Sequence, residues 1–267
     1  MRLLWLLPCL IACGANRAGV EPTPPWATSQ GRETAKTELA EALLESGNPE
    51  AALRLIGKMR DQGAKGPKLM VLQGKAMAKL GLTDDAEAVL SEVARRHPRQ
   101  ADAQNQLGIL LMDQKRIDEA IPRFKAATRA APEDGEAHNN LGFALMTAGR
   151  HDEAVTALRK ALELDSSSQR TRNNLGFALV ATGEDKQAFR IFRAGNEAAA
   201  AHTNLALAQE LRGDNAAAKI SYGNAISADP DAQVAREALK RLSRPPTPEA
   251  DKSPSTEVSS TPEETSK

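Results

Sequence analysis

Four histidines, two cysteines and several adjacent acidic pairs are the side chains with which this 267-residue chain could do covalent, metal or acid–base chemistry. Histidine is the usual general base and metal ligand near neutral pH. Here His97, His138, His151 and His202 are spread along the chain without zinc-binding spacing. His97 stands just before a proline, and His151 falls where a turn between helices is expected. Cys9 and Cys13 both lie in the first thirteen residues, so the body of the chain offers no thiolate nucleophile, disulfide or cysteine metal site. Asp118-Glu119 and Asp152-Glu153 resemble paired catalytic carboxylates, but each pair falls in the expected first turn of a helix, where the dipole favours negative charge. No phosphate-cradling loop or nucleophile elbow is present. The expectation is a non-enzyme with no catalytic residue, no metal and no cofactor.

Composition narrows the remaining classes. Lysine and arginine balance aspartate and glutamate, 35 against 35, so no net field favours nucleic acid or an anionic membrane surface. Aromatic residues make up only 3% of the chain. A β-sandwich core draws on aromatic and β-branched residues, so an all-α chain is expected.

Internal repetition supplies the elements that would position any site. Units beginning at Glu33, Pro67, Ala101, Gly135, Gln169 and Ala199 follow one another, the first four at a spacing of 34 residues. The twentieth residue of every unit is alanine: Ala52, Ala86, Ala120, Ala154, Ala188 and Ala218. The eighth is always small: Ala40, Gly74, Gly108, Gly142, Gly176 and Ala206. Two antiparallel helices approach closely only where side chains are small, which assigns the eighth residue to a first helix and the twentieth to a second. The fifteenth is glycine except at Lys115, which suits the left-handed residue that ends a helix. Asn48-Pro49 reads as the N-cap and first residue of a second helix. Pro122 stands inside a second helix and should bend it. The fifth unit is short: Leu175 to Leu205 spans 30 residues, about one helical turn less than its neighbours, with the loss expected around Arg193-Ala194-Gly195-Asn196. Residues 233–242 form one more helical segment, with Val234, Ala238 and Leu242 on one side.

These columns resemble the tetratricopeptide repeat over residues 33–232, as do the large residues at the twenty-fourth position: Ile56, Leu90, Phe124, Leu158, Phe192 and Tyr222. The resemblance implies an all-α solenoid of six helix-turn-helix repeats (33–66, 67–100, 101–134, 135–168, 169–198, 199–232) with a C-terminal capping helix at 233–243. His138 and His202 stand at the fourth position, often aromatic in that family. In the family, the second, fifth, sixth, ninth, twelfth and thirteenth residues of each first helix line a concave groove. That face would carry Asn105, Gln106, Ile109 and Met112, then Asn139, Asn140, Phe143 and Met146. It would continue with Asn173, Asn174, Phe177 and Val180, then Thr203, Asn204 and Leu207. Carboxamides can donate to and accept from a peptide backbone, and Phe, Met and Ile offer adaptable apolar contact. The alternative is that the residues before each Leu-Gly only bridge adjacent helices. In units one and two the same rows hold Glu38, Glu41 and Glu45 opposite Lys68, Lys75 and Lys79, either as cross-repeat pairs or as a polar docking region.

The two ends read differently from the repeats. Residues 1–13 carry one arginine and an apolar run too short to span a bilayer, which is the pattern of a signal segment. Leu10-Ile11-Ala12-Cys13 resembles the bacterial lipobox, which implies lipidation of Cys13; Gly14 would permit export to the outer membrane. An ordinary cleaved signal is the alternative. Residues 14–32 suit a flexible tether, and 244–267, rich in Pro, Ser, Thr and Glu, a disordered tail. The blocks Ala137-His138-Asn139-Asn140-Leu141-Gly142-Phe143-Ala144-Leu145 and Thr171-Arg172-Asn173-Asn174-Leu175-Gly176-Phe177-Ala178-Leu179, with the short fifth repeat and the lipobox, resemble the TadD-type lipoproteins of tight-adherence (Flp) pilus systems. That resemblance implies an outer-membrane lipoprotein facing the periplasm that helps assemble a pilus or secretion system. Its partner would be an extended peptide or helix of a pilus or secretion component, with membrane contact through the lipid anchor only and no nucleic acid. A scaffold for cell-wall enzymes and a periplasmic holdase chaperone are the alternatives.

Overall fold

The computed structural model describes residues 28–244. Among the described residues there are thirteen helices and no strand, so the all-α expectation holds. The chain divides into two compact units, one through Leu110 and one from Leu111. The first holds α1 (Ser29–Glu45), α2 (Pro49–Asp61), α3 (Pro67–Lys79), α4 (Thr83–Arg96) and most of α5 (Ala101–Asp113). The second holds the end of α5, then α6 (Ile117–Ala130), α7 (Gly135–Thr147), α8 (His151–Leu164), α9 (Gln169–Ala181) and α10 (Asp185–Gly195). It ends with α11 (Ala198–Leu211), α12 (Asn215–Ala228) and α13 (Gln233–Leu242). The expected signal segment with Cys13, most of the tether and nearly all of the tail lie outside the described residues. One boundary moves: α1 begins at Ser29, inside the expected tether, because Thr28 Oγ1 accepts from the Gly31 N–H at 2.9 Å and caps the helix. No helix among the described residues is long and apolar enough to cross a membrane.

All six first helices end in the same way. The residue after the left-handed position donates its N–H to the carbonyl five residues back, as in Arg150 to Leu145 at 2.8 Å and Glu184 to Leu179 at 2.7 Å. Gly149 adopts φ 74° to make this turn, and Lys115, the one departure from glycine in its column, is forced to φ 63°. A side chain there meets the crowding that makes left-handed backbone unfavourable for L-residues. The following helices begin on capping side chains where the sequence supplies them: Asn48 Oδ1 accepts from Ala51, and Asp214 Oδ1 from Ala217.

Close helix approach is set by one recurring contact. A Cβ placed on Gly74 would lie 2.6 Å from Leu90 Cγ; one on Gly142 would run into Leu158, and one on Gly176 into the Phe192 ring. In the second, fourth and fifth repeats the large twenty-fourth residue of the second helix therefore fills the notch left by the glycine at the eighth position of the first. Leu90, Leu158, Phe192 and Tyr222 are all buried. The Ala154 carbonyl also stands 3.3 Å from the Gly142 Cβ position, so small residues at eight and twenty let the backbones meet.

The irregular places follow the same logic. The α10 helix has 11 residues, against 14 in α8 and α12, so the fifth unit is shortened at the helix itself as well as in its exit. Asn196 closes that exit, its Nδ2 donating to the Phe192 carbonyl at 2.8 Å. Pro122 leaves α6 unbroken to Ala130; it is solvent-exposed, and the carbonyl it leaves without a partner belongs to Asp118, also exposed, where water can take it. In α13 the buried stripe is Ala235 and Ala238 with Leu239 and Leu242 packed beside them. Val234 is 67% exposed, because the covered face follows a three- and four-residue spacing rather than four alone. Counted in the repeat register, α13, the last helix among the described residues, takes the place of a first helix in a seventh unit. Lys240, at the eighth position, is solvent-exposed.

Three stability outcomes follow. Gly142→Val should lower the unfolding free energy by about 1–3 kcal/mol through overpacking against Leu158, whereas Gly57→Ala, with no neighbour within 4 Å, should raise it by about 0.5–1 kcal/mol. Lys115→Gly should stabilise by roughly 0.5–1 kcal/mol by removing the left-handed strain. Urea denaturation of each variant measures all three.

Candidate functional site

The face expected to bind divides into residues that are presented and residues that are consumed. In the second unit α9 packs between α7 and α11. The ninth residues of these three first helices form one row. Phe143 is 45% exposed and Leu207 42% exposed, while Phe177 is half-buried, its ring edge-on to Phe192 at 5.7 Å. Met146 is half-buried beside the row, and Val180 is fully buried.

The carboxamides are largely turned on one another. Asn139 is only 2% exposed; its Oδ1 accepts from Asn174 Nδ2 at 3.0 Å and from Thr171 Oγ1 at 3.3 Å. It therefore bridges α7 to α9 and is withdrawn from any partner. Its Nδ2 donates to Asn140 Oδ1 at 3.3 Å, and Asn173 Oδ1 takes the Gln169 amide at 3.0 Å. Asn140, Asn173, Asn174 and Asn204 are half-buried. On α5, through which the division of the chain runs, Asn105 is buried and Gln106, Ile109 and Met112 are half-buried.

The first unit presents charge on the corresponding rows. Lys68 pairs with Glu41 at 2.9 Å, as a cross-repeat pairing requires, but Lys75 turns to Asp102 at 3.3 Å. Such part-exposed pairs contribute at most about 1 kcal/mol each.

The residues that could have done chemistry are held in structural roles. His138 Nε2–H donates to the Pro132 carbonyl at 3.0 Å. His202 stacks on Phe189 with ring centres 4.4 Å apart, and burial pushes its pKa down. His151 is the first residue of α8. Glu119 and Glu153 each take an arginine from the turn before them, Arg116 at 2.7 Å and Arg150 at 2.6 Å, which lowers both carboxyls. Among the described residues no three His, Cys, Asp or Glu side chains gather as a metal site.

Two polar networks escaped the sequence reading. Arg212 Nη1 donates to Asp185 Oδ1 and to the Val180 carbonyl, both at 2.6 Å, while Gln209 Nε2 donates to Asp185 Oδ2 at 2.6 Å and Gln209 Oε1 accepts from Ser221 Oγ at 2.7 Å. This links α9, α10, α11 and α12 across the shortened unit. Burial pushes the Asp185 carboxyl up, but hydrogen bonds from Arg212 and Gln209 outweigh it and leave the pKa lowered. Farther on, Arg241 of α13 pairs with Glu210 of α11 at 2.6 Å, and Tyr222 donates to the same carboxylate at 3.2 Å. Burial, with Glu210 beside it, pushes the Tyr222 hydroxyl up to about 12. Sequence position alone could not reveal either network, since each joins side chains of the sixth repeat to a neighbouring element: the fifth repeat in one case and α13 in the other.

Asp185→Asn should destabilise the protein by about 1–2 kcal/mol at pH 7. Because the folded-state pKa is depressed, the stabilisation is complete above the unfolded carboxylate value near 4 and lost as pH falls through the lower folded value. The gap between wild type and variant, followed by denaturation at pH 7 and at successively lower pH, should close below about pH 4.

Comparison with known proteins gives a consistent picture. Tetratricopeptide repeat models match residues 37–101, 71–122 and 105–169, then 145–211, then 199–232. Among solved structures, residues 41 to the end of MamA from Desulfovibrio magneticus RS-1 are 27% identical, with a TM-score of 0.51, covering 61% of this chain and 92% of that one. A MamA RS-1 double mutant is 25% identical with a TM-score of 0.51, covering 68% and 96%. YrrB, described as a TPR protein with an unusual peptide-binding site, shares the fold at 21% identity and a TM-score of 0.56, covering 69% and 97%. Comparison with curated proteins gives no significant match. The matched models run from residue 37 to residue 232, through all six helical pairs, and the chain belongs to the tetratricopeptide repeat family, whose members are protein-interaction scaffolds.

Proposed function

We propose that this chain is a non-enzymatic adaptor of the cell envelope that holds a protein partner on the first-helix face of its second unit. The observation that carries the reading is Phe143, 45% exposed on a helix whose other large apolar residues are covered. A solvated face has no use for an exposed phenylalanine, and Leu207 repeats the feature two units on. Around this row the side chains are neutral carboxamides, a threonine and a methionine.

The anchoring part of the proposal rests on Leu10-Ile11-Ala12-Cys13, which resembles a lipobox and would place the protein on the outer membrane facing the periplasm. The pathway part rests on the two Asn-Asn-Leu-Gly-Phe blocks and the short fifth repeat, which resemble the TadD-type pilus-assembly lipoproteins. On this reading the partner is a pilus or secretion component.

Affinity purification from membranes should recover secretin or pilus-assembly proteins with the intact chain. The yield should fall at least about tenfold with Phe143→Ala/Leu207→Ala, since truncating a central hot-spot residue costs about 2 kcal/mol or more, while the thermal midpoint stays near wild type because both side chains are exposed. Cys13→Ala should move the protein from the membrane to the soluble fraction. Recovery of cell-wall enzymes instead, or of the same broad protein set with every variant, would defeat the pilus assignment.

A further inference from the structure

The kind of partner can be read from the spacing and chemistry of that same face, an argument that rests on the face being a binding surface. Its apolar strip runs across three neighbouring first helices. Phe143 stands on α7, Phe177 on α9 and Leu207 on α11, with Leu211, 73% exposed, one turn beyond Leu207. Packed helices lie about 8–10 Å apart, so the strip offers an apolar contact at each such step.

Three backbone forms could cross it. A β-strand advances about 3.3 Å per residue, so the residue 10 Å along is the third and points to the opposite side. A polyproline II chain keeps its face, returning after three residues and about 9 Å, but its backbone has no internal hydrogen bonds, so the groups it lays against the apolar strip lose their water and need polar partners there. The row that could supply them is interrupted: Asn139 is buried under Thr171 and Asn174, and Asn173 is engaged by Gln169. An α-helix satisfies its own backbone and returns to the same face after seven residues, about 10.5 Å. Only the helix meets both conditions.

Charge narrows the partner further. In α7 and α9 the fifth, sixth, ninth, twelfth and thirteenth positions hold no charged residue. In α11 the one exception, Glu210, has a side chain only 18% exposed and is held by Arg241. At the edge of the face Glu136 and Arg170 lie within 3.8 Å of each other. A charged partner side chain would be desolvated there with nothing to pair with.

We infer that the second unit binds an amphipathic α-helix of at least two heptads, laid across α7, α9 and α11, whose contacting face is apolar and flanked by uncharged polar residues.

The test uses the full chain and two fluorescent 18-residue peptides of leucine, glutamine and serine, with leucine at heptad positions a and d. One is uninterrupted and the other carries a central proline in place of a serine, which breaks the helix. Fluorescence anisotropy should show the uninterrupted peptide binding at least about tenfold more tightly, a difference of about 1.4 kcal/mol. Its affinity should change less than about twofold between 50 and 500 mM salt, since no screened charge takes part. Phe143→Ala/Leu207→Ala should remove most of the binding. Equal binding of the broken peptide, or loss of binding with salt, overturns the inference while leaving the binding face in place. Failure of both peptides also overturns it, and the membrane purification with the Phe143→Ala/Leu207→Ala variant then decides separately whether the face binds anything.

Discussion

In three of the helix pairs a large side chain from the second helix sits in a glycine notch on the first. Leu158 over Gly142 and Phe192 over Gly176 leave no room for even one added carbon, so the two backbones approach until the Ala154 carbonyl nearly touches Gly142. Close packing of this kind fixes the rotation of each helix about its axis. Once the eighth position faces the second helix, the third, seventh and tenth positions turn toward the preceding repeat. The ninth and thirteenth are left to solvent. The presentation of Phe143 and Leu207 is thus a by-product of where glycine stands in the chain.

The shortened fifth unit tests that arrangement. Loss of a turn from α10 removes apolar contact at the place where α11 must follow α9 directly. At the other end of α10 the Asp185–Arg212–Gln209–Ser221 network ties four helices with charge-assisted bonds. The last described helix, α13, fills a first-helix place, and the Arg241–Glu210 pair holds it to α11. The apolar strip therefore ends on a charged pair that is already satisfied. The first unit has the opposite character, with Glu41 and Lys75 at the ninth position, where the second unit carries Phe143, Phe177 and Leu207. One fold thus carries two chemically distinct faces, and only one of them is apolar enough to reward contact with a helix.

Much of this was legible in the residues themselves. The 34-residue period, the alanine and glycine columns and the positive-φ position before each second helix are local requirements of helix geometry, and local requirements leave a periodic mark in sequence. The ninth-position row was also readable, because the 100° advance per residue places it opposite the packed positions. What went astray depended on neighbours. Asn139 and Asn140 are adjacent and identical in type, yet Asn139 is buried, because Thr171 and Asn174 of the next repeat turn toward it. Val234 shares a four-residue spacing with Ala238 and Leu242, yet it is exposed, because the sixth repeat covers the Ala235–Ala238 side of α13.

By itself, then, the sequence determined the fold class, the number of helical pairs, the place of the short repeat and the row of side chains that faces outward. Those properties come from contacts within one helix or one hairpin, whose partners sit at fixed separations along the chain. Tertiary structure alone decided which carboxamides are consumed, which lysine meets which acid, and how the short repeat is braced. Those outcomes depend on side chains from different repeats competing for one hydrogen-bonding group, and that competition is settled in space, with no fixed offset in the chain to record it.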